Sequence, residues 1–146
     1  MNGFKFKLNK VLEVKDVEFR QQQKDLSDAA QQKHKAHEKL AAKRNSTEKY
    51  AKGLDDVQIQ NAGNMHLGYD HYHFLLEEVK QQHEHVVNLG KKEDAEREKL
   101  IRVQRECKVL EKLKEKEFEK FQADIAKQVQ NSIDELANMH VRRLAK

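Results

Sequence analysis

The sequence predicts an all-α protein, a long antiparallel two-helix coiled-coil hairpin with an unpaired C-terminal helical extension. Three observations support this prediction for a single domain spanning residues 1–146. The chain has no proline, only five glycines and 37% charged residues, a composition typical of long helices. Apolar residues recur three and four positions apart through two long runs. Between the two runs lies a short window that holds three of the five glycines.

The first predicted helix covers residues 5–52. Its apolar residues fill two positions per heptad: ten of 15 such positions are apolar, against seven of the other 35 between residues 8 and 57. This contrast is the pattern of a coiled coil with one or two partner helices. Gln22, Lys33 and Lys43 interrupt the pattern, and polar residues at such positions commonly fix register or partner choice.

The predicted tip covers residues 53–68, where Gly53, Gly63 and Gly68 are typical turn residues. The second predicted helix covers residues 69–144, and Gly90 is its one weak interior position, a candidate site for a bend or a local break. Cys107 falls among the regularly spaced apolar positions of this helix. It is therefore interpreted as a small buried hydrophobic residue rather than a nucleophile.

The two predicted helices differ in length, which leaves part of the second one without a partner. If the hairpin turns near residue 60, position i faces about 121 − i, and Leu8 lies near Leu113. The last 33 residues then have no partner within the chain, although they retain an apolar stripe whose spacing shifts mostly to steps of four. An unpartnered amphipathic helix predicts a contact with another molecule.

Charge and motifs argue against several function classes. Residues 1–60 carry a net charge of +4, whereas residues 61–146 are neutral overall, so nucleic-acid binding is not expected. No apolar run approaches the roughly 18 residues of a membrane span, and the charged N-terminal sequence predicts no cleaved signal peptide. The single cysteine, the absence of an HExxH sequence among the eight histidines and the absence of phosphate-loop motifs predict no metal, cofactor or catalytic residues.

Four sequence patterns resemble the flagellar export protein FliJ family, and together they span essentially the whole chain. They are Phe4-x-Phe6-x-Leu8-x-Lys10-Val11-Leu12-x-x-Lys15, Tyr69-x-x-Tyr72-x-x-x-Leu76 with His83, the charged run from Arg105 to Lys116, and the pair Asp134-Glu135. The resemblance implies a non-enzymatic, cytoplasmic hairpin similar to the central stalk subunit of rotary ATPases. It also implies a location at the cytoplasmic membrane beside the flagellar basal body.

The resemblance further implies three partners: the hexameric flagellar export ATPase, the membrane export-gate protein and export chaperones. The unpaired extension would enter the ATPase ring. The residues assigned to this contact are Phe118, Phe121, Ile125, Val129, Ile133, Leu136, Arg142 and Arg143. One departure from the family affects this segment, because Val129, Gln130 and Asn131 stand where the family often has an acidic residue, Gln and Lys.

A second assigned site would contact the export gate. It consists of Tyr72, Leu76, Val79 and His83, whose spacing of four, three and four places them on one helix face. Val79 is bulkier than the alanine often found there in the family. In the alternative interpretation, Tyr72 and Val79 simply contact the first helix.

Three other functions remain open from the sequence. The same fold would suit a stalk protein of virulence type III secretion, although Phe4-x-Phe6-x-Leu8 favours the flagellar branch. A coiled-coil adaptor or export chaperone would have no effect on ATP hydrolysis. A nucleic-acid-associated helical protein would bind with steep salt dependence.

Overall fold

Two long helices make up the fold in the computed structural model, which describes residues 3–56 and 62–144. Helix α1 covers Asn9–Asp56 and helix α2 covers Ala62–Leu144. Paired side chains approach one another in reversed order along the two helices, so the helices are antiparallel. No strand occurs in the described residues. The predicted all-α, two-helix antiparallel fold is therefore confirmed.

The contacts divide the chain into two units. Unit 1 comprises residues 1–19 and 102–146, and unit 2 comprises residues 20–101. In both units the pairing follows the predicted relation between i and 121 − i. Lys15 pairs with Glu106 at 2.7 Å in unit 1, and Lys43 pairs with Glu78 at 3.4 Å in unit 2.

The core of unit 2 is a thin layer of small and medium-sized side chains. Ala36, Leu40 and Val86 are buried against one another, and Val79 and Leu89 pack at the edge of this cluster. Such narrow burial is expected where one apolar stripe meets another and no third element covers them. The polar residues that interrupt the predicted stripe have partners across the helix pair, and three such pairs are Gln22 with Glu96, Lys33 with Glu93 and Lys43 with Glu78.

The core of unit 1 follows the same pattern. Leu12 on α1 is buried, as are Val103 and Cys107 on α2. Lys15 donates hydrogen bonds to both Glu106 and Glu18, and these carboxylates raise the pKa of its ammonium group. Burial raises the pKa of the Cys107 thiol, which disfavours the reactive thiolate. The prediction that Cys107 is a buried hydrophobic residue is confirmed.

The helix bounds differ from the predicted ones at both sides of the tip. Helix α1 continues past Gly53 to Asp56, and α2 begins at Ala62 instead of residue 69. A glycine costs a helix only about 1 kcal/mol, and contacts between the helices can outweigh that cost. The Tyr50 hydroxyl donates to the Gly68 carbonyl oxygen at 3.3 Å, and the Tyr50 and His71 rings lie 4.8 Å apart. Residues 57–61 of the predicted tip lie outside the described residues.

The first helix also begins later than predicted, at Asn9 instead of residue 5. The backbone N–H of Asn9 donates to the Phe6 carbonyl oxygen at 3.2 Å, which forms a turn before the helix. The Asn9 side chain then donates to the Glu13 carboxylate at 2.7 Å in the first turn. Residues 3–6 are therefore not helical, and Phe6 is buried.

Gly90 lies inside an unbroken stretch of α2, so replacing it by alanine is expected to stabilise the protein by about 1 kcal/mol. A Cβ at this position would meet only the Lys33 Cε, at an ordinary 3.8 Å. Urea unfolding followed by circular dichroism measures the change. Gly68→Ala is the control, since its Cβ would lie 2.8 Å from the Leu54 Cδ2 and that side chain would have to move. An equal gain in both variants would contradict this explanation.

Acid is expected to remove the stabilisation that Glu93 provides. The hydrogen bond from Lys33 holds the pKa of this carboxylate below its ordinary value of 4.5. A carboxylate with a lowered folded-state pKa stabilises the fold above its unfolded-state pKa, and this contribution disappears as the pH falls through the folded-state value. The difference in unfolding free energy between the wild type and Glu93→Gln should therefore be constant from pH 7 to about pH 5 and shrink below about pH 4.5. Urea unfolding at pH 7 and pH 3 tests this, with the exposed Glu98→Gln as the control for removing one charge.

Candidate docking surfaces on the second helix

The C-terminal part of α2 carries an apolar stripe that no described part of the chain covers. Every residue from 126 to 142 is exposed. We call residues 126–142 the free tail. Val129, Ile133 and Leu136 are 49%, 52% and 66% exposed and lie three or four positions apart, so they share one helix face. A solvent-facing helix of this length with a continuous apolar stripe is the kind of surface that binds an apolar groove or another helix.

The free tail is helical without support from α1. Its polar face contributes local bonds: Gln130 donates to the Asp134 carboxylate at 2.9 Å, and Ser132 donates to the Gln128 carbonyl oxygen at 3.0 Å. A side-chain pair such as Gln130 with Asp134 adds only a few tenths of a kcal/mol. Apolar pairs at the same spacing contribute no more than this, and the stripe is exposed and therefore available for binding.

The free tail begins later than the sequence predicts. Pairing was expected to end near Leu113, yet Lys114 donates to the Asn9 side-chain oxygen at 3.4 Å and Phe4 lies against two aromatic rings of α2. The Phe4 ring centroid is 5.2 Å from that of Phe118 and 5.6 Å from that of Phe121. The expectation of an unpaired segment from residue 114 was therefore wrong. It considered only helix-to-helix pairing, whereas a non-helical segment before α1 covers this part of α2.

The residues assigned to the ATPase contact thus fall into three groups. Phe118 and Phe121 lie against the Phe4 ring, and Phe121 and Ile125 are half-buried. The exposed members of the set in the free tail are Val129, Ile133, Leu136 and Arg142. Arg143 lies outside the residues whose side chains are described. Met139, which is 56% exposed, extends the stripe three positions beyond Leu136. The spacing alone could have identified it.

The four residues assigned to the export-gate contact lie at the edge of the helix pair. Tyr72 and Val79 are half-buried, and Val79 packs against the core cluster of unit 2. Leu76 and His83 are exposed. Val79 therefore takes part in the packing of unit 2, while Leu76 and His83 are available to a partner.

Two further exposed apolar residues continue the line of Leu76 and His83 along unit 2. Tyr69, seven positions before Leu76, is 46% exposed, and Val87, four positions after His83, is 44% exposed. Steps of seven and four keep all four residues on one helix face. The face to which Leu76 belongs is thus longer than the sequence pattern suggested. Tyr69 and Val87 were not among the residues assigned to this contact, although the helical spacing could have identified both.

The described residues contain no group of three or more His, Cys, Asp or Glu side chains that could hold a metal ion. No helix in that part of the chain is long and apolar enough to cross a membrane. What the described surface offers is two exposed apolar faces on α2, and such faces bind other macromolecules.

Comparison with known proteins agrees with this arrangement. The family model described as "Flagellar FliJ protein" matches residues 4–146, nearly the whole chain. No curated protein and no solved structure was found to match it. Members of this family are non-enzymatic components of flagellar protein export. A match over this share of the chain establishes that the protein belongs to the FliJ family and is a component of the flagellar export apparatus.

Proposed function

We propose that this protein is a stalk-like coupling protein that binds the hexameric export ATPase through its free tail and the export gate through a second face of α2. The observation that carries the proposal is the exposed apolar stripe of the free tail. Exposed stripes of this kind are costly in a monomer and are typical of binding surfaces. Membership of the FliJ family supports the choice of the export ATPase as the partner in this proposal, and the free tail offers an exposed helix for the contact.

The dimensions of the free tail are compatible with insertion into the centre of a ring. A helix of 17 residues extends about 25 Å. Its stripe runs along the helix axis, and charged residues flank it on the other faces, such as Lys127, Asp134 and Arg142. A single helix of this kind can be surrounded by several subunits, each of which contacts a different part of its circumference.

ATP hydrolysis by the cognate export ATPase tests the proposal. The ATPase is titrated with the full chain and with a version that ends after Ile125, which keeps the partners of Phe4 and removes the free tail. We expect stimulation by the full chain and none by the shortened one. Absence of stimulation by either, with an ATPase shown to be active alone, would favour an adaptor or chaperone without ATPase coupling.

The second proposed contact involves the exposed face that contains Leu76 and His83. Leu76→Asp should weaken binding to the cytoplasmic part of the export gate by at least tenfold, because an aspartate would interrupt the apolar face without disturbing the core. The exposed Glu77→Asp, at the neighbouring position, is the control. Equal binding by wild type and Leu76→Asp in a titration of the two purified proteins would remove this face from the proposal.

These contacts would place the protein at the cytoplasmic side of the membrane beside the flagellar basal body, where the ATPase and the gate meet. Handling of export chaperones is a further proposed role, and the exposed face of unit 2 is the part of the molecule available for it.

A further inference from the structure

The apolar stripe of the free tail continues along α2 on the N-terminal side of residue 126. Phe118, Phe121 and Ile125 precede Val129 at steps of three and four, so they lie on the same face of α2. Phe4 covers this proximal part of the stripe, and its ring lies 5.2 Å from that of Phe118 in an edge-to-face arrangement. A partner that follows the stripe from the tail toward residue 118 therefore meets Phe4.

The contact made by Phe4 is a weakly held one. Phe6 is 7% exposed, whereas Phe4 is only half-buried and Phe118 remains 42% exposed beneath it. The turn that leads into α1 is closed from Phe6 onward by the bond from Asn9. An open groove of about 720 Å³, lined in part by Phe4, Leu12 and Phe118, adjoins the ring. Phe6 and the turn therefore have contacts of their own, separate from those of the Phe4 ring.

We propose that the partner of the free tail displaces Phe4 from Phe118 and Phe121 and extends its own apolar contact over both rings. Residues 3–5 act as a strap that covers the proximal stripe until a partner with a complementary apolar helix or groove binds. This inference rests on the proposed function, for which the export ATPase is the probe. The strap partly shields two aromatic rings in the free protein. Because the strap must be released, binding at the tail competes with an internal contact.

The affinity of the full chain for the ATPase provides the first test. Phe4→Ala should bind about threefold to tenfold more tightly than the wild type, because the partner no longer has to break two aromatic contacts. Phe74→Ala is the matched control, since it removes an exposed phenylalanine from unit 2. Circular dichroism verifies that both variants keep the helicity of the wild type.

A fluorine label shows directly where the ring of residue 4 lies. Full-length protein with 4-fluorophenylalanine at position 4 is followed by ¹⁹F NMR as the ATPase is added. The same label in a chain with Phe118→Ala and Phe121→Ala gives the signal of the released ring. We expect the wild-type signal to move to that position on binding.

The results of these experiments distinguish a failure of the strap proposal from a failure of the proposed function. If the shortened chain that ends after Ile125 loses ATPase binding but the fluorine signal stays in place and Phe4→Ala binds no more tightly, the tail is the docking surface and the strap is wrong. If the shortened chain binds as well as the full chain, the proposed function fails, and the strap fails with it.

Discussion

Leu136→Asp is expected to weaken binding to the export ATPase about 30- to 700-fold while leaving the fold intact. Leu136 is 66% exposed and lies in the middle of the stripe of the free tail. Residues at the centre of an interface that become fully desolvated commonly contribute about 2–4 kcal/mol, and burying an unpaired carboxylate there adds a further cost. In the free protein the change affects only helix propensity, by about 0.5 kcal/mol.

The matched control is Asn138→Asp, which adds the same charge on the opposite face of the free tail. Asn138 lies two positions from Leu136, so it is on the opposite face of the helix. Both residues are exposed, and they lie at nearly the same place along the tail. Binding is measured by titration of the purified ATPase, and helicity by circular dichroism. Equal weakening by both variants would mean that charge, and not the apolar stripe, governs the contact. A loss of helicity in Leu136→Asp would place that residue in the folded core.

Leu40→Ala is expected to lower the free energy of unfolding by about 2–3 kcal/mol. Leu40 is 3% exposed and lies between Ala36 and Val86 in the core of unit 2. Removing a buried leucine side chain from a core costs about 2–5 kcal/mol. The lower part of that range applies because the surroundings are two helices that can close around the gap. The change is nonetheless large against the 5–15 kcal/mol that stabilise a typical domain.

Urea unfolding measures this loss, and the midpoint should fall by about 1 M or more. Leu67→Ala is the control, because it makes the same chemical change at a position that is 68% exposed. It should alter the unfolding free energy by less than about 0.5 kcal/mol. A comparable loss in both variants would show that the layer around Leu40 is not the principal apolar core of unit 2.

The periodicity of the sequence was sufficient to predict the fold class and the pairing register. Apolar residues such as Leu12, Ala36 and Leu40 could be placed in the contact between the helices because a helix repeats every 3.6 residues whatever surrounds it. The relation between i and 121 − i followed from the position of the glycines and holds for Lys15 and Glu106. Lys33 and Lys43, which interrupt the apolar pattern, pair with Glu93 and Glu78. The spacing of the apolar residues did not predict these pairs.

The ends of the helices could not be predicted in the same way. Gly53 and Gly68 are typical of turns, yet both lie inside helices because contacts such as Tyr50 with His71 outweigh a local cost of about 1 kcal/mol each. The local sequence indicates only the intrinsic helix propensity of each residue. The contribution from across the helix pair depends on which side chains meet.

The sequence by itself determined that this protein is two antiparallel helices of unequal length and that the longer one carries an apolar stripe beyond its partner. Only the tertiary structure decided where along the longer helix the contacts with the rest of the chain end. Phe4 reaches Phe118 and Phe121 from a segment outside the helix, and a helical repeat contains no information about such a contact. It also decided that Val79 packs against the core while Leu76 is exposed, because burial depends on how α2 is rotated about its axis relative to α1.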